Sequence, residues 1–128
     1  MTPPPYLYRV EVPAGRLGWL TDNQRLHWAD KAGRVRAWRL ATYFWARHLR
    51  LPRIEYARIV CELRFVEVRR RDPNNWAPTG KACVDGLVDA GVFADDNAKH
   101  VIGPDMRLGP LVARKDKGLH LLIYPLEK

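Results

Sequence analysis

The sequence predicts an α+β domain in which two helices pack against one face of a mixed β-sheet, in the order β-α-β-α-β-β. Apolar residues alternate with a period of two in several segments, which is typical of strands, and recur with a helical period in two others. Elements of both kinds in a chain of this size form a layered structure around a shared core. The 128 residues suffice for one domain over residues 1–128 and not for two cores.

The composition indicates a folded, basic domain. A hydrophobic fraction of 47% and five tryptophans exclude a disordered chain. No apolar run approaches the ~18 residues of a membrane-spanning helix, and residues 1–12 lack the apolar centre of a signal peptide. We therefore expect a cytoplasmic protein with no membrane partner. The net charge of +8 favours nucleic acid as the partner over a merely soluble basic domain, because phosphate contacts dominate such binding.

The first half of the chain predicts a strand, a loop and a helix. Residues 6–12 alternate and predict the strand. Residues 13–31 are polar and rich in glycine and Asp/Asn, which predicts a loop. Its centre, DNQRLHW, carries Asn23 and Arg25, which fit either nucleotide binding or packing over the sheet. Residues 33–50 predict the clearest helix, because an apolar stripe recurs on one face. The expected inward residues of the strand and helix are Tyr6, Tyr8, Val10, Val12, Trp38, Ala41, Trp45 and Leu49.

The other side of this helix predicts a face that follows phosphates. Four arginines and a tyrosine recur there at steps of 3, 4, 4 and 3: Arg36, Arg39, Tyr43, Arg47 and Arg50. Charged stripes are usually solvated, but a solvated face normally mixes signs, and residues 31–53 contain no acid. We expect contacts to a nucleic-acid backbone, with a solvated face as the alternative.

The second half of the chain predicts a strand over residues 56–68, a loop over 69–80 and a helix over 81–90. Gly91 follows that helix at the position that favours glycine. The expected inward residues are Ile59, Cys61, Leu63 and Phe65 of the strand, and Cys83, Val84, Leu87 and Val88 of the helix. The last elements are a short strand over 99–102 and a hairpin formed by 108–113 and 119–126.

The stretch RRRDPNNWAPTGKACVDGLVDAGVFADD, residues 69–96, places arginines beside carboxylates. Asp72 ends the long strand, where its side chain can point into a crevice. Asp95 and Asp96 are adjacent and repel each other, and a divalent cation can accommodate both near a third carboxylate. Magnesium prefers hard oxygen ligands of this kind, and Lys81 fits the role of stabilising charge on a phosphate.

A structural interpretation of the same residues exists. Asp72 can be neutralised by the preceding arginines, and Asp95 and Asp96 can be ordinary turn residues. The arginines of that run are Arg69, Arg70 and Arg71.

Residues 69–96 resemble the RusA-type Holliday-junction resolvases, which are small dimeric endonucleases. That family has an arginine-rich approach to Asp-x-Asp-Asn, then a lysine, an aspartate within a helix, a glycine and an Asp-Asp pair. The matching positions are Asp72, Asn75, Lys81, Asp85, Asp95 and Asp96. This chain departs from the pattern at Asn74, where the family has its second aspartate, and by an insertion of about three residues before Lys81.

The resemblance implies a homodimer that cleaves four-way DNA junctions with Mg²⁺ or Mn²⁺. Asp72 and Asp96 would hold the metal, with Lys81 near the scissile phosphate. Further metal ligands would come from Asn74, Asp95 and Asp85. The DNA-binding residues would be Arg36, Arg39, Arg47, Arg50, Arg69, Arg70, Arg71, Asn75, Asn23 and Arg25. Two other interpretations stay open: a catalytically weak junction-binding protein, and a small phage-encoded structural domain.

Overall fold

Within residues 7–127, which the computed structural model describes, four strands and two helices follow the order β-α-β-α-β-β. This confirms the expected α+β class. The strands are β1 (Tyr8–Pro13), β2 (Ala57–Arg64), β3 (Val101–Leu108) and β4 (Gly118–Pro125). The helices are α1 (Trp28–His48) and α2 (Ala77–Asp89), and short 3₁₀ helices at Pro73–Trp76 and Arg114–Asp116 precede α2 and β4.

The sheet has the strand order β1-β4-β2-β3. It is mixed, as predicted, because β4 runs antiparallel to both of its neighbours whereas β2 and β3 are parallel. The predicted hairpin is wrong. Residues 109–113 form no strand, since Gly109 and Pro110 interrupt the chain, and Val112 N donates instead to Phe65 O at 2.9 Å. The chain thus crosses the end of β2 before β4 begins.

Alternation along the strands supplies the sheet's half of the core. Ile59, Cys61 and Leu63 of β2 are buried as expected, as is Phe65 just after the strand. Val10 and Val12 of β1 are buried too. β4 adds Leu119, Leu121 and Ile123 to the same face. Tyr6, which was expected to share this face, lies outside the described residues.

Helix α1 begins at Trp28 instead of residue 33. His27 is the N-cap of this helix, because its Nδ1 accepts a hydrogen bond from the N–H of Ala29 at 3.2 Å. Its fully buried residues are Trp38, Thr42 and Ala46. The predicted inward stripe is therefore rotated, and the core position of Leu49 is wrong, since this residue is 47% exposed. The buried face was not predicted because Thr42, which lies on it, is polar. The hydroxyl of Thr42 can be buried because its Oγ1 donates a hydrogen bond to Trp38 O at 2.9 Å.

Helices α1 and α2 approach closely at Gly86. A Cβ atom there would lie 2.4 Å from the carbonyl oxygen of Arg39 and 2.8 Å from Cβ of Thr42. Any side chain at this position would push the helices apart, because tightly packed backbone has no room to yield. α2 begins at Ala77 instead of residue 81, since Pro78 fits a first helical turn, where a missing N–H costs nothing.

No helix within residues 7–127 combines the length and the apolar character needed to cross a membrane.

We predict that Gly86→Ala lowers the free energy of unfolding by about 1–3 kcal/mol, as expected for overpacking. The matched control is Gly33→Ala in α1, where an added Cβ meets only a side-chain atom of Arg36 at 3.9 Å. That change should be neutral or stabilise by up to about 1 kcal/mol, because alanine favours helix. Urea denaturation of the two variants measures the difference, and equal effects would contradict the assigned helix contact.

Candidate active site

Three charged side chains meet on the exposed side of α2. Lys81 and Asp85 lie one helical turn apart, and Lys81 Nζ is 3.4 Å from Asp85 Oδ1. After α2 the chain reverses at Gly91, whose φ of +83° suits glycine. The returning segment brings the Asp96 carboxylate into an ion pair with Lys81. We call Lys81, Asp85 and Asp96 the lysine–aspartate cluster.

The ionisation of the cluster follows from its geometry. The hydrogen bond from Lys81 lowers the pKa of Asp96 to about 2 and raises the pKa of Lys81. Burial raises the pKa of Asp85; Lys81 opposes that effect, and the neighbouring Asp96 adds to it. One ammonium group thus serves two close carboxylates. The cluster thus holds one more carboxylate than ammonium groups, and the Lys81 side chain is 62% exposed.

Asp95 does not join the cluster. Its Oδ1 accepts the N–H of Asp96 at 2.7 Å, and its Oδ2 accepts the side-chain amide of Asn97 at 3.2 Å. These bonds are those of a turn residue, which was the structural interpretation. Their effect is to fix the backbone from which the Asp96 side chain projects.

Asp72 caps the 3₁₀ helix Pro73–Trp76, because its Oδ1 accepts the N–H of Asn74 at 3.0 Å. It forms no ion pair with the preceding arginines within residues 7–127. Arg69 instead lies 3.6 Å from a carboxylate oxygen of Glu67. Arg71 donates to the Glu67 carbonyl at 3.0 Å, and its guanidinium lies 3.8 Å from the ring centroid of Phe65. Arg69 and Arg71 thus contact Glu67 and Phe65.

Asn74 lines a cleft of about 490 Å³ between the 3₁₀ helix and β3. The cleft also contains Asp105, which the sequence reasoning missed and which pairs with Arg58 at 2.6 Å. The predicted strand stopped at residue 102, whereas β3 continues through Gly103 and Pro104. Extending the strand pattern past that dipeptide would have drawn attention to the carboxylate.

The loop before α1 is tied to the beginning of α2. Thr79 is fully buried; its Oγ1 donates to Leu20 O at 2.7 Å and accepts Leu20 N–H at 3.0 Å. The N–H of Asp22 donates to Asn75 O at 2.9 Å. These bonds hold the exposed Asn23 and Arg25 beside the 3₁₀ helix. The sequence reasoning missed Thr79, since nothing in its local pattern marks the distant partner.

The arginine row on α1 is only partly available to a ligand. Arg39 forms a two-point ion pair with Asp89 of α2, at 2.5 and 2.8 Å, which raises the pKa of Arg39. Arg36 and Arg47 are exposed on the helix. Arg50 is exposed too, but it lies beyond the helix end in a left-handed conformation, with φ of 55°. Within residues 7–127 the other three form no ion pair, whereas the acid partner of Arg39 lies on the neighbouring helix.

The donors present fit a magnesium ion with few protein ligands. Within residues 7–127 no group of three or more His, Cys, Asp or Glu side chains is suited to a metal. Magnesium, however, is often bound by one or two carboxylates together with water and substrate phosphate. Asp85 and Asp96 both pair with Lys81 and offer two such carboxylates.

No family model and no curated protein matches this chain. The resemblance of residues 69–96 to RusA-type resolvases therefore stands on the sequence of those residues alone.

We predict that Lys81→Met raises the pKa of Asp96 from about 2 towards the ordinary aspartate value, because its main hydrogen-bond donor is lost. A depressed carboxyl pKa stabilises the fold above the unfolded pKa of about 4 and loses that contribution as pH falls. The variant's stability should thus decline less steeply between about pH 4 and pH 2. Carboxyl ¹³C shifts measure the pKa. Lys31→Met is the control, and an unmoved Asp96 titration in Lys81→Met would contradict the ion pair.

Proposed function

We propose that this protein is a metal-dependent, structure-selective DNA endonuclease of RusA type that cleaves four-way junctions by phosphodiester hydrolysis. The lysine–aspartate cluster carries the proposal. Lys81 and Asp96 are 15 residues apart in sequence and form an ion pair on the exposed side of α2, with Asp85 beside them. These are residue types that a phosphate-cleaving site requires, at positions that match the resolvase motif.

Each residue of the cluster has a role in this chemistry. A bound Mg²⁺ or Mn²⁺ ion would polarise the scissile phosphate and help to ionise the attacking water. Asp85 and Asp96 offer carboxylate oxygens to that ion. Lys81 is exposed and carries its ammonium to the rim of the cluster, where it stabilises negative charge that develops on the phosphate.

Asp72 and Asn74 belong to a different part of the chain. Eight residues of 3₁₀ and α-helical backbone, 73–80, lie between Asp72 and Lys81, a path on the order of 15 Å. We propose a homodimer that acts on the two equivalent strands of a junction, with one site in each subunit. A two-fold dimer addresses two symmetric strands with one site each.

The basic surface supports branched double-stranded DNA as the substrate. The protein carries a net charge of +8, and Arg36, Arg47 and Arg50 are exposed without an acid between residues 31 and 53. Asn23 and Arg25 lie next to the 3₁₀ helix and extend this surface towards Asn75. Recombination or repair of cytoplasmic DNA is the proposed setting.

A catalytically weak junction-binding protein is the second candidate, and Asn74 favours it. A carboxamide at this position offers oxygen without charge, which weakens metal binding, while the basic surface is unaffected.

We predict that Asp96→Asn and Asp72→Asn each abolish Mg²⁺-dependent cleavage of a mobile four-way junction and leave junction binding unchanged or tighter. The carboxylates serve the chemistry, and their loss also removes repulsion from phosphates. Cleavage is measured with and without Mg²⁺, and binding by gel shift in chelator. Asp116→Asn, an exposed aspartate near β4, is the control.

Binding without cleavage by the wild type would select the second candidate. Wild-type cleavage rates in Asp96→Asn would overturn the site assignment.

We predict that Arg36→Gln/Arg47→Gln weakens junction binding and flattens its salt dependence. Each lost phosphate contact should reduce the log–log slope by about 0.9. The control is Arg58→Gln/Lys115→Gln, which removes the same charge away from α1. Fluorescence anisotropy over a salt series gives both slopes. Equal salt-dependence slopes in the two double variants would indicate that the arginines of α1 form a solvated face and do not contact phosphates.

A further inference from the structure

The two edges of the sheet differ in how they are protected. Unpaired strand edges attract other strands, and proteins usually blunt them. On β3, Pro104 lacks an N–H, the register shifts between Arg58 and Val60 of the neighbouring strand, and the 3₁₀ helix Pro73–Trp76 lies against the strand. On β1, proline occurs only at the last position, Pro13.

The outward hydrogen-bonding groups of β1 follow from its pairing with β4. Ala14 N donates to Lys117 O at 2.8 Å, in line with the antiparallel register that joins Pro13 to Gly118. Because antiparallel strands alternate their hydrogen-bonding direction, even-numbered residues of β1 bond to β4 and odd-numbered residues point away. The N–H and C=O groups of Arg9 and Glu11 thus face outwards, and among the strands of residues 7–127 β1 pairs only with β4.

This edge lies in an open groove. A cavity of about 540 Å³ runs along β1. Trp45 of α1 and Leu49, which follows the helix, form one wall, and Lys115 and Asp116 form another. The apolar wall is accessible, since Leu49 is 47% exposed. The groove therefore offers both backbone partners and apolar surface to an additional strand.

We propose that β1 pairs antiparallel with β1 of a second copy of this chain, with the two Val10 residues at the centre. In this register Arg9 of each copy lies opposite Glu11 of the other, which gives two opposite-charge pairs on the open face of the sheet. Both residues are the outward-bonding ones, so the facing backbone groups also match. A register centred on Arg9 or on Glu11 would set like charges opposite each other.

The charge pattern selects a second copy over an unrelated peptide. Arg9 and Glu11 are two positions apart and have opposite charges. An antiparallel second copy of β1 therefore places each of them opposite a residue of the other charge. The outcome is a two-fold dimer with one eight-stranded sheet. The inference names the surface for the proposed dimer, but it does not rest on nuclease activity, because assembly is measured without DNA.

The test is sedimentation of the full chain over a concentration series, with charge reversals. Arg9→Glu and Glu11→Arg should each weaken the dimer on the order of tenfold or more, because each sets like charges opposite each other twice. The swap Arg9→Glu/Glu11→Arg should restore the wild-type affinity. An equimolar mixture of the two single variants should form heterodimers, since every facing pair is then opposite in charge. Lys31→Glu is the control for charge alone.

A backbone variant supplies an independent measurement. Arg9→Pro removes an outward N–H at two symmetric places and leaves the bonds to β4 intact, as edge strands tolerate. It should weaken the dimer while circular dichroism shows an unchanged fold. A monomer at all concentrations would overturn the proposal. A dimer that is unaffected by these variants but is lost in Leu40→Ser/Phe44→Ser, on the exposed side of α1, would also overturn it. The same holds if Arg9→Glu and Glu11→Arg form no heterodimer when mixed.

Discussion

The close packing of α2 on two sides is the constraint on which the rest of the structure depends. Gly86 lets the helix touch the backbone of α1, and Gly80 lets it lie against β3, where a Cβ would be 2.7 Å from Sδ of Met106. A helix held on two sides has only one side left for solvent. That side carries Lys81, Asp85 and Asp89, so the two glycines determine which residues are available for chemistry and for pairing with α1.

The two faces of the molecule differ in how their charges are arranged. On the open face of the sheet, basic and acidic side chains alternate and pair, as Arg58 does with Asp105 and Arg64 with Glu62. Burial lowers the pKa of His120 on this face, and Arg64 adds to the effect. The helical layer is different, because the exposed arginines of α1 have no acid near them in sequence.

Local patterns predicted β1, β2, β4 and the inward residues of α2, whereas distant pairings escaped them. The alternation of apolar and polar residues alone identified the inner face of β2. Because side chains along a strand point alternately to the two faces of the sheet, one buried residue determines the face of all the others. The partner of Arg39 is 50 residues away, so a search of its own helix for acids could not reveal it. The proximity of Lys81 and Asp96 was likewise invisible to periodicity, and it was expected only through the family resemblance. The position of β4 between β1 and β2 was missed. The short connection before residue 119 favoured a hairpin, in which β4 would pair with the segment directly before it in sequence.

The double hydrogen bond between Thr79 and Leu20 also bears on motion. One buried hydroxyl satisfies both backbone groups of a residue in the loop before α1, so this loop cannot lift away without exposing unpaired polar groups. Segments that must break the same bonds open together and exchange their amide protons as one unit. The loop of Asn23 and Arg25 and the first turn of α2 should therefore share one opening free energy. An irregular segment with no secondary structure thereby takes on the rigidity of the helix to which it is bonded.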